Sequence, residues 1–385
     1  MVASAGVSER DNRPVPAAKR KRNRTIRAAR PVPGAPAVRC ARENAMGSFF
    51  RRAAVAAAAA LALAPLILAA GPARAETTTV RLAKQFGISY LPMTVMEELN
   101  LIEKQAAAKG FELKTEWLRF TGGSGMNEAL ISGNLDIAAG GVGPMLTIWG
   151  RTRGNLKVKG IAALNAMPLY LVSTNPNVKT LKDLTPKDKI ALPAVKTSIQ
   201  AVTLQMAAEQ AFGAGQQNKL DALTVSMGHP DAQLAMMGGQ SEVTAHFGSS
   251  PFQELELKDP RAHKVLDSYQ VLGGPHTFNT IWTTEKFATE NPKALAAVLA
   301  ALEEANALIR KDPKAMAALW IKAEGSKMSV DEAAAIIQSP QNEWTTTPQK
   351  VLAYLDYMHR AGLVTATTKD WRDIFFPAIH GASGS

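Results

Sequence analysis

"FTGGSGMNEALISGNLDIAAGGVGPML", residues 120–146, decides how this chain reads. A glycine-rich turn precedes a short helical pattern, a second turn follows at Gly133, then comes a short apolar strand, and a third glycine turn ends in Pro144. A phosphate loop is the first hypothesis, because backbone N–H groups at a helix start attract anions. The stretch excludes it: G-x-x-x-x-G-K-[ST] is absent, and the glycines miss the G-x-G-x-x-G register of dinucleotide folds. Around it, short apolar runs such as "TVRLA", "KVKGIAAL", "LYLVS", "KIALPA" and "SEVTAHFG" alternate with helical stretches. That alternation predicts an α/β chain with buried strands.

The net charge of +11 and pI near 9.7 would point to nucleic acid or an acidic membrane surface if the charge were spread evenly. It is not. Residues 1–75 hold 14 Lys and Arg against 3 acids, whereas residues 76–385 hold 30 of each. Met46 opens "MGSFFRRAAVAAAAALALAPLILAAGPARA", with Arg51 and Arg52 before an apolar run and Ala73-Arg74-Ala75 as a small-x-small site. This predicts a signal peptide over 46–75, cleaved after Ala75 for general secretion, with retention as an anchor the alternative. Residues 1–45 form a basic, proline-rich extension that cannot bury a core, and Met46 is the expected start. Cys40, the only cysteine, lies in that extension, so the mature chain has no thiolate chemistry and no disulfide. About 310 residues remain, more than one compact core usually holds.

An internal echo gives the organisation. "ALISGNLDIAAGGVGPML" from Ala129 aligns with "AMMGGQSEVTAHFGSSPF" from Ala235, pairing Gly133 with Gly239, Asp136 with Glu242, Ile137 with Val243 and Ala139 with Ala245. In each copy a helix ends at glycine, a carboxylate precedes a strand, and the strand runs into a Gly/Ser loop with a proline before the next helix. Ligands of open α/β sheets bind beyond such strand ends.

With "RLAKQFGISYLPM" ahead of them, these segments make the chain resemble a periplasmic solute-binding protein of an ABC importer. The similarity is to the nitrate/sulfonate/taurine class, whose relatives also bind thiamine-pyrimidine precursors. The resemblance implies a two-lobed, type II-like periplasmic-binding-protein fold with a hinge and a cleft. Lobe 1 would be 76–165 and 275–385, lobe 2 would be 166–274, and "ALNAMPLYLVS" and "GGPHTFNTIWTT" would cross between them. Helices are expected after Asn291-Pro292, after Asp312-Pro313 and from Thr347-Pro348, bracing the first lobe. The resemblance further implies a periplasmic monomer that meets the membrane only through the permease and its ATPase subunits, with no nucleic acid and no cofactor.

Four loops are then expected to touch ligand. "QFGISYLP" offers Ser89 and Tyr90; "FTGGSG" offers Thr121, Gly122, Gly123 and Ser124; "GGVGP" acts through its backbone at Gly143; and "AVKTSIQ" offers Lys196, Thr197 and Ser198. Thr197 with Gln200 matches a capping box, while Lys196 and Ser198 would stand at a helix N-terminus able to receive an anion. His229 and His246 occupy second-lobe loops and are expected to donate to an oxyanion, with His276 in the return crossing. Their spacing is not a metal pattern, and no metal is expected. A thiamine-pyrimidine synthase shares this fold but relies on a cysteine-rich segment absent here, and neither G-x-S-x-G nor H-E-x-x-H occurs, so binding rather than catalysis is expected. Hydroxyls, imidazoles and helix N-termini suit an alkanesulfonate, taurine or nitrate-like anion. A neutral heterocycle is the alternative, with Phe86, Tyr90, Phe120, Phe247 and Trp282 as the rings on offer.

Overall fold

The computed structural model describes residues 76–385. The expected signal peptide of 46–75, the extension of 1–45 and Cys40 lie outside the described residues.

Among the described residues, ten strands form two five-stranded arrays. In the first, β1 (Thr79–Lys84) pairs in parallel with β2 (Lys114–Arg119), and a Leu82–Ile137 bridge carries β1 on to β3 (Ala138–Gly141). The array continues through β10 (Asn279–Thr283), antiparallel to both β3 and β4 (Lys159–Ala163). β3 is only Ala and Gly for a packing reason. Trp282 of β10 is fully buried, and its ring fills the space beside Gly140, where an added Cβ would lie 3.1 Å from the ring. The Trp282 Nε1–H finds its partner in Asn127 Oδ1 at 3.1 Å, as a buried indole must.

The second sheet has the order β7-β6-β8-β5-β9, from Thr224–Ser226, Lys189–Leu192, Val243–Phe247, Tyr170–Ser173 and His263–Asp267 respectively. β6 is parallel to β7 and β8, while β5 runs antiparallel to β8 and β9. Both copies of the echo share one geometry. Helices Gly123–Ile131 and His229–Gly238 precede β3 and β8, and the aligned Gly133 and Gly239 both take left-handed backbone at φ +75° and +67°. Only glycine adopts that region without a steric penalty, so the paired glycines mark the same turn.

Two chain crossings link the sheets, and they bond each other. Leu164 N–H donates to Asn279 O at 2.8 Å, Phe278 N–H donates to Asn165 O at 3.1 Å, and Ala166 bridges Thr277. Helices do start at Pro292 and Pro313. The expectation of a helix from Pro348 is corrected: it starts at Val351, because Thr277 exchanges backbone and hydroxyl bonds with Gln349 and holds 348–350 against the return crossing. Nor does this helix brace the first sheet alone. Its Tyr354 hydroxyl lies 3.1 Å from Thr203 Oγ1 on helix Ile199–Phe212, which follows β6 of the second sheet.

The C-terminal tail docks where β4 lacks a side chain. Gly160 N–H donates to Ile374 O at 2.9 Å and Gly160 O accepts from Phe376 N–H at 2.8 Å, and an added Cβ at Gly160 would lie 2.4 Å from the fully buried Phe375 ring between them. Gly160→Ala should therefore destabilise the protein by about 1–3 kcal/mol through overpacking. Gly154→Ala, where nothing lies within 4 Å, should not lower stability. Thermal melting of the two variants checks the pair.

Candidate functional site

Strand-end loops from both sheets enclose one small cavity. Gln85 and Tyr90 follow β1, Gly123 follows β2, Gly141 and Pro144 close β3, and Phe278 precedes β10. Opposite them stand Pro193, Ser198, Ile199 and Gln200 after β6 and His229 after β7. The cavity measures about 20 Å³, room for about one water.

Glycine lets the walls close this far. An added Cβ at Gly143 would sit 2.9 Å from Thr197 O, and one at Gly141 would sit 2.6 Å from Ile199 Cγ2. Ser124 Oγ and Thr197 Oγ1 meet at 3.0 Å across the same seam. The loops of residues 120–146 thus press directly on the 193–199 loop of the second sheet.

Five helices begin at this point: Leu91–Glu98, Gly123–Ile131, Val142–Arg151, Ile199–Phe212 and His229–Gly238. Tyr90, Gly123, Pro144, Ser198 and His229 are their N-caps or first-turn residues, and all five line the cavity. No lining residue carries a formal charge at neutral pH. Gln85 is buried at 7% exposure, yet its side-chain amide has no hydrogen-bond partner among the described residues, and neither has the Tyr90 hydroxyl. Burial raises the Tyr90 phenol above its usual value, which keeps it a donor. Both residues line the cavity, where a guest or a water can meet these groups.

Of the residues expected from sequence, Tyr90, Gly123, Ser198 and His229 line the cavity. Ser89 is fully buried one position away, with its carbonyl accepting from Asn165. Gly122 packs on Pro193 O, and Gly143, Ser124 and Thr197 form the seam. Thr121 and Lys196 are exposed, outside the lining set, and Lys196 takes left-handed backbone at φ 63°. Gln85, Pro193 and Phe278 carried no signal in sequence beyond adjacency to the chosen loops, and Gln200 only that of a helix cap.

Two expectations are corrected by geometry. Ser198, not Thr197, caps helix Ile199–Phe212: its hydroxyl accepts from Ala201 N–H at 3.2 Å, while Thr197 is engaged with Ser124. His246 does not reach the cavity. Its ring is fully buried behind His229, bonded to His229 Nδ1 through Nε2 at 2.8 Å and to Glu256 through Nδ1 at 2.6 Å. Burial lowers both imidazoles below their usual range, His246 to about 3, so both are neutral. His276 serves the crossings, bonding Ser268 Oγ at 2.9 Å. Among the described residues no group of three or more His, Cys, Asp or Glu is placed to hold a metal ion, and no helix is long and apolar enough to cross a membrane.

Comparison with solved structures places this fold among periplasmic binding proteins. The alkanesulfonate-binding protein SsuA of Xanthomonas axonopodis pv. citri, bound to MOPS, superposes with a TM-score of 0.60 at 17% identity, over 75% of this chain and 95% of that one. The aliphatic sulphonate binding protein SsuA of Escherichia coli gives 0.59 at 22% identity, over 78% and 92%. The nitrate-binding protein NrtA of Synechocystis PCC 6803 gives 0.61 at 15% identity, over 78% and 85%. A search of curated proteins finds no match. The family model described as NMT1/THI5 like matches residues 108–316, more than half of the sequence, and the chain belongs to that family.

Proposed function

We propose that this chain is the substrate-binding component of an ABC importer, holding a small organic oxyanion of the alkanesulfonate, taurine or nitrate kind. One observation carries the reading: five helix N-termini converge on a cavity whose lining has donors but no carboxylate. The partial positive charge of helix starts and their free N–H groups favour an anion without a paired cation. In this reading the lobes are 76–165 with 275–385 and 166–274, the protein works in the periplasm after export through the 46–75 signal, and a membrane permease receives the ligand. It binds and does not catalyse. The likeness of the fold to sulfonate- and nitrate-binding proteins supports the class.

A second reading has its own observation. Gln85 and Gln200 present amides, and Tyr90 and Phe278 present rings, which together suit the edge and face of a neutral pyrimidine such as a thiamine precursor. Because the cavity as closed has room for about one water, either guest enters only when the two loop sets separate, with closure about the paired crossings.

Calorimetric titration with methanesulfonate, taurine, nitrate and an aminopyrimidine decides between them. At least one of the three anions should bind more tightly than the pyrimidine, and small-angle scattering should show compaction at saturation. The reverse order of affinity replaces the first reading by the second. Ser198→Ala should weaken the bound anion about tenfold, since a hydrogen bond to a charged partner contributes about 1.5–3 kcal/mol. Because Ser198 is also the helix cap, the same change should cost about 1 kcal/mol of stability, read by thermal melting.

A further inference from the structure

Behind the cavity wall stands a chain of three side chains that oxyanion capture by helix starts leaves unused. His229 lines the cavity and bonds through Nδ1 to His246 Nε2 at 2.8 Å, and His246 Nδ1 lies 2.6 Å from Glu256 Oε1. The second nitrogen of His229, Nε2, stands 3.4 Å from Nε2 of Gln200, itself a lining residue, whose amide turned over offers Oε1 as the acceptor for a His229 Nε2–H. Phe252 stacks on the His229 ring at 5.5 Å between centroids and fixes its plane. His246 and Glu256 are fully buried.

Each link of such a chain needs one proton and one lone pair, so its bonds must all run the same way. With Glu256 protonated, its O–H donates to His246 Nδ1, His246 Nε2–H donates to His229 Nδ1, and His229 keeps its proton on Nε2. With Glu256 ionised, the carboxylate can only accept. His246 then carries its proton on Nδ1, His229 donates from its own Nδ1, and His229 Nε2 is left as a lone pair. One proton has gone to solvent and both rings have changed tautomer, each still neutral.

We infer that Glu256, held as a neutral buried acid, is a positioning residue that makes His229 a hydrogen-bond donor to the ligand, so that this wall selects a guest presenting an acceptor. The selectivity part rests on the cavity being the ligand site. Glu256 Oε2 is buried with no partner, an arrangement that a neutral carboxyl tolerates far better than a carboxylate. Burial accordingly pushes Glu256 up to about 9, and it keeps both imidazoles uncharged. Other ionisable groups on the packed elements stay outside the chain. Glu254 bonds Ser250 and Gln253, Asp188 bonds Asn175, Thr185 and Thr244, and Tyr170 bonds Gln341. Lys189 on β6 and Asp231 on the His229 helix make no bond to either ring.

The test reads tautomers in the ligand-free protein and affinity beside them. Long-range proton–nitrogen NMR of labelled histidines should find both rings protonated on Nε2 at pH 7. As pH rises through the Glu256 value to about 10.5, both should move to Nδ1, because ionised Glu256 reverses the chain. Glu256→Gln, whose amide can donate as the acid does, should hold both rings on Nε2 at either pH. Methanesulfonate affinity should fall at least tenfold between those pH values in the parent and less than threefold in Glu256→Gln. His229 protonated on Nδ1 at pH 7, or one pH profile shared by parent and variant, overturns the inference. The tautomer switch in the parent decides the matter even if the variant does not fold. A parent with the expected tautomers and no affinity for methanesulfonate, taurine or nitrate upholds the donor chain and overturns the oxyanion reading alone.

Discussion

Gly143 has no side chain, and the carbonyl of Thr197 occupies the space one would fill. With Gly141 against Ile199, this is how loops from two separate sheets come into van der Waals contact. Everything at the site follows from that closeness. Helix starts after β3 and β6 can face one small volume only because the turns between them present bare backbone. A methyl group at either glycine would have to displace backbone or a β-branched side chain, neither of which yields cheaply.

The contact also sets the electrostatics. A volume walled by buried backbone, with room for about one water, screens little, so the partial charges at five helix N-termini act across a gap of low dielectric. A lysine or arginine in such a wall would need its own counter-charge or would lose its proton, and a carboxylate would take up the helix N-termini itself and repel an anionic guest. The lining accordingly consists of amides, hydroxyls, an imidazole and apolar groups. Lys196, one residue from the seam, stays exposed, where its charge remains hydrated.

Much of this was legible in the chain because it rests on local rules. The two helix–glycine–strand units announce themselves by spacing, and Gly133 and Gly239 show why the spacing exists. The loops around the cavity follow from strand ends alone. Other features are decided by geometry that no local pattern encodes. Ser198 rather than Thr197 became the cap because the backbone at 198 turns extended just before the helix, and Thr197 found a hydroxyl on the other sheet. Gln85 and Phe278, nearly 200 residues apart, share a wall only through the β3–β10–β4 pairing and its bridge to β1. Glu256 lies on a five-residue helix with no motif, and its partnership with His246 exists because that helix packs on β5, the neighbour of β8, and on the helix that starts at His229.

The crossings carry the last constraint. Their two strands bond each other through Asn165, Leu164, Phe278 and Asn279, so bending one bends both, and the loops must move as sets rather than singly. Helix Val351–Arg360 adds a third tie, since Tyr354 touches Thr203 on one side and the crossing residue His276 on the other. His276 in turn holds Ser268 at the end of β9. These are neutral hydrogen bonds, each contributing about 0.5–1.5 kcal/mol, close to what solvent offers in exchange when they part. The seam itself has one side-chain hydrogen bond and contacts between glycines and backbone. Opening therefore breaks little, and the closed arrangement gains most when a guest supplies the acceptors that Gln85 and Tyr90 lack.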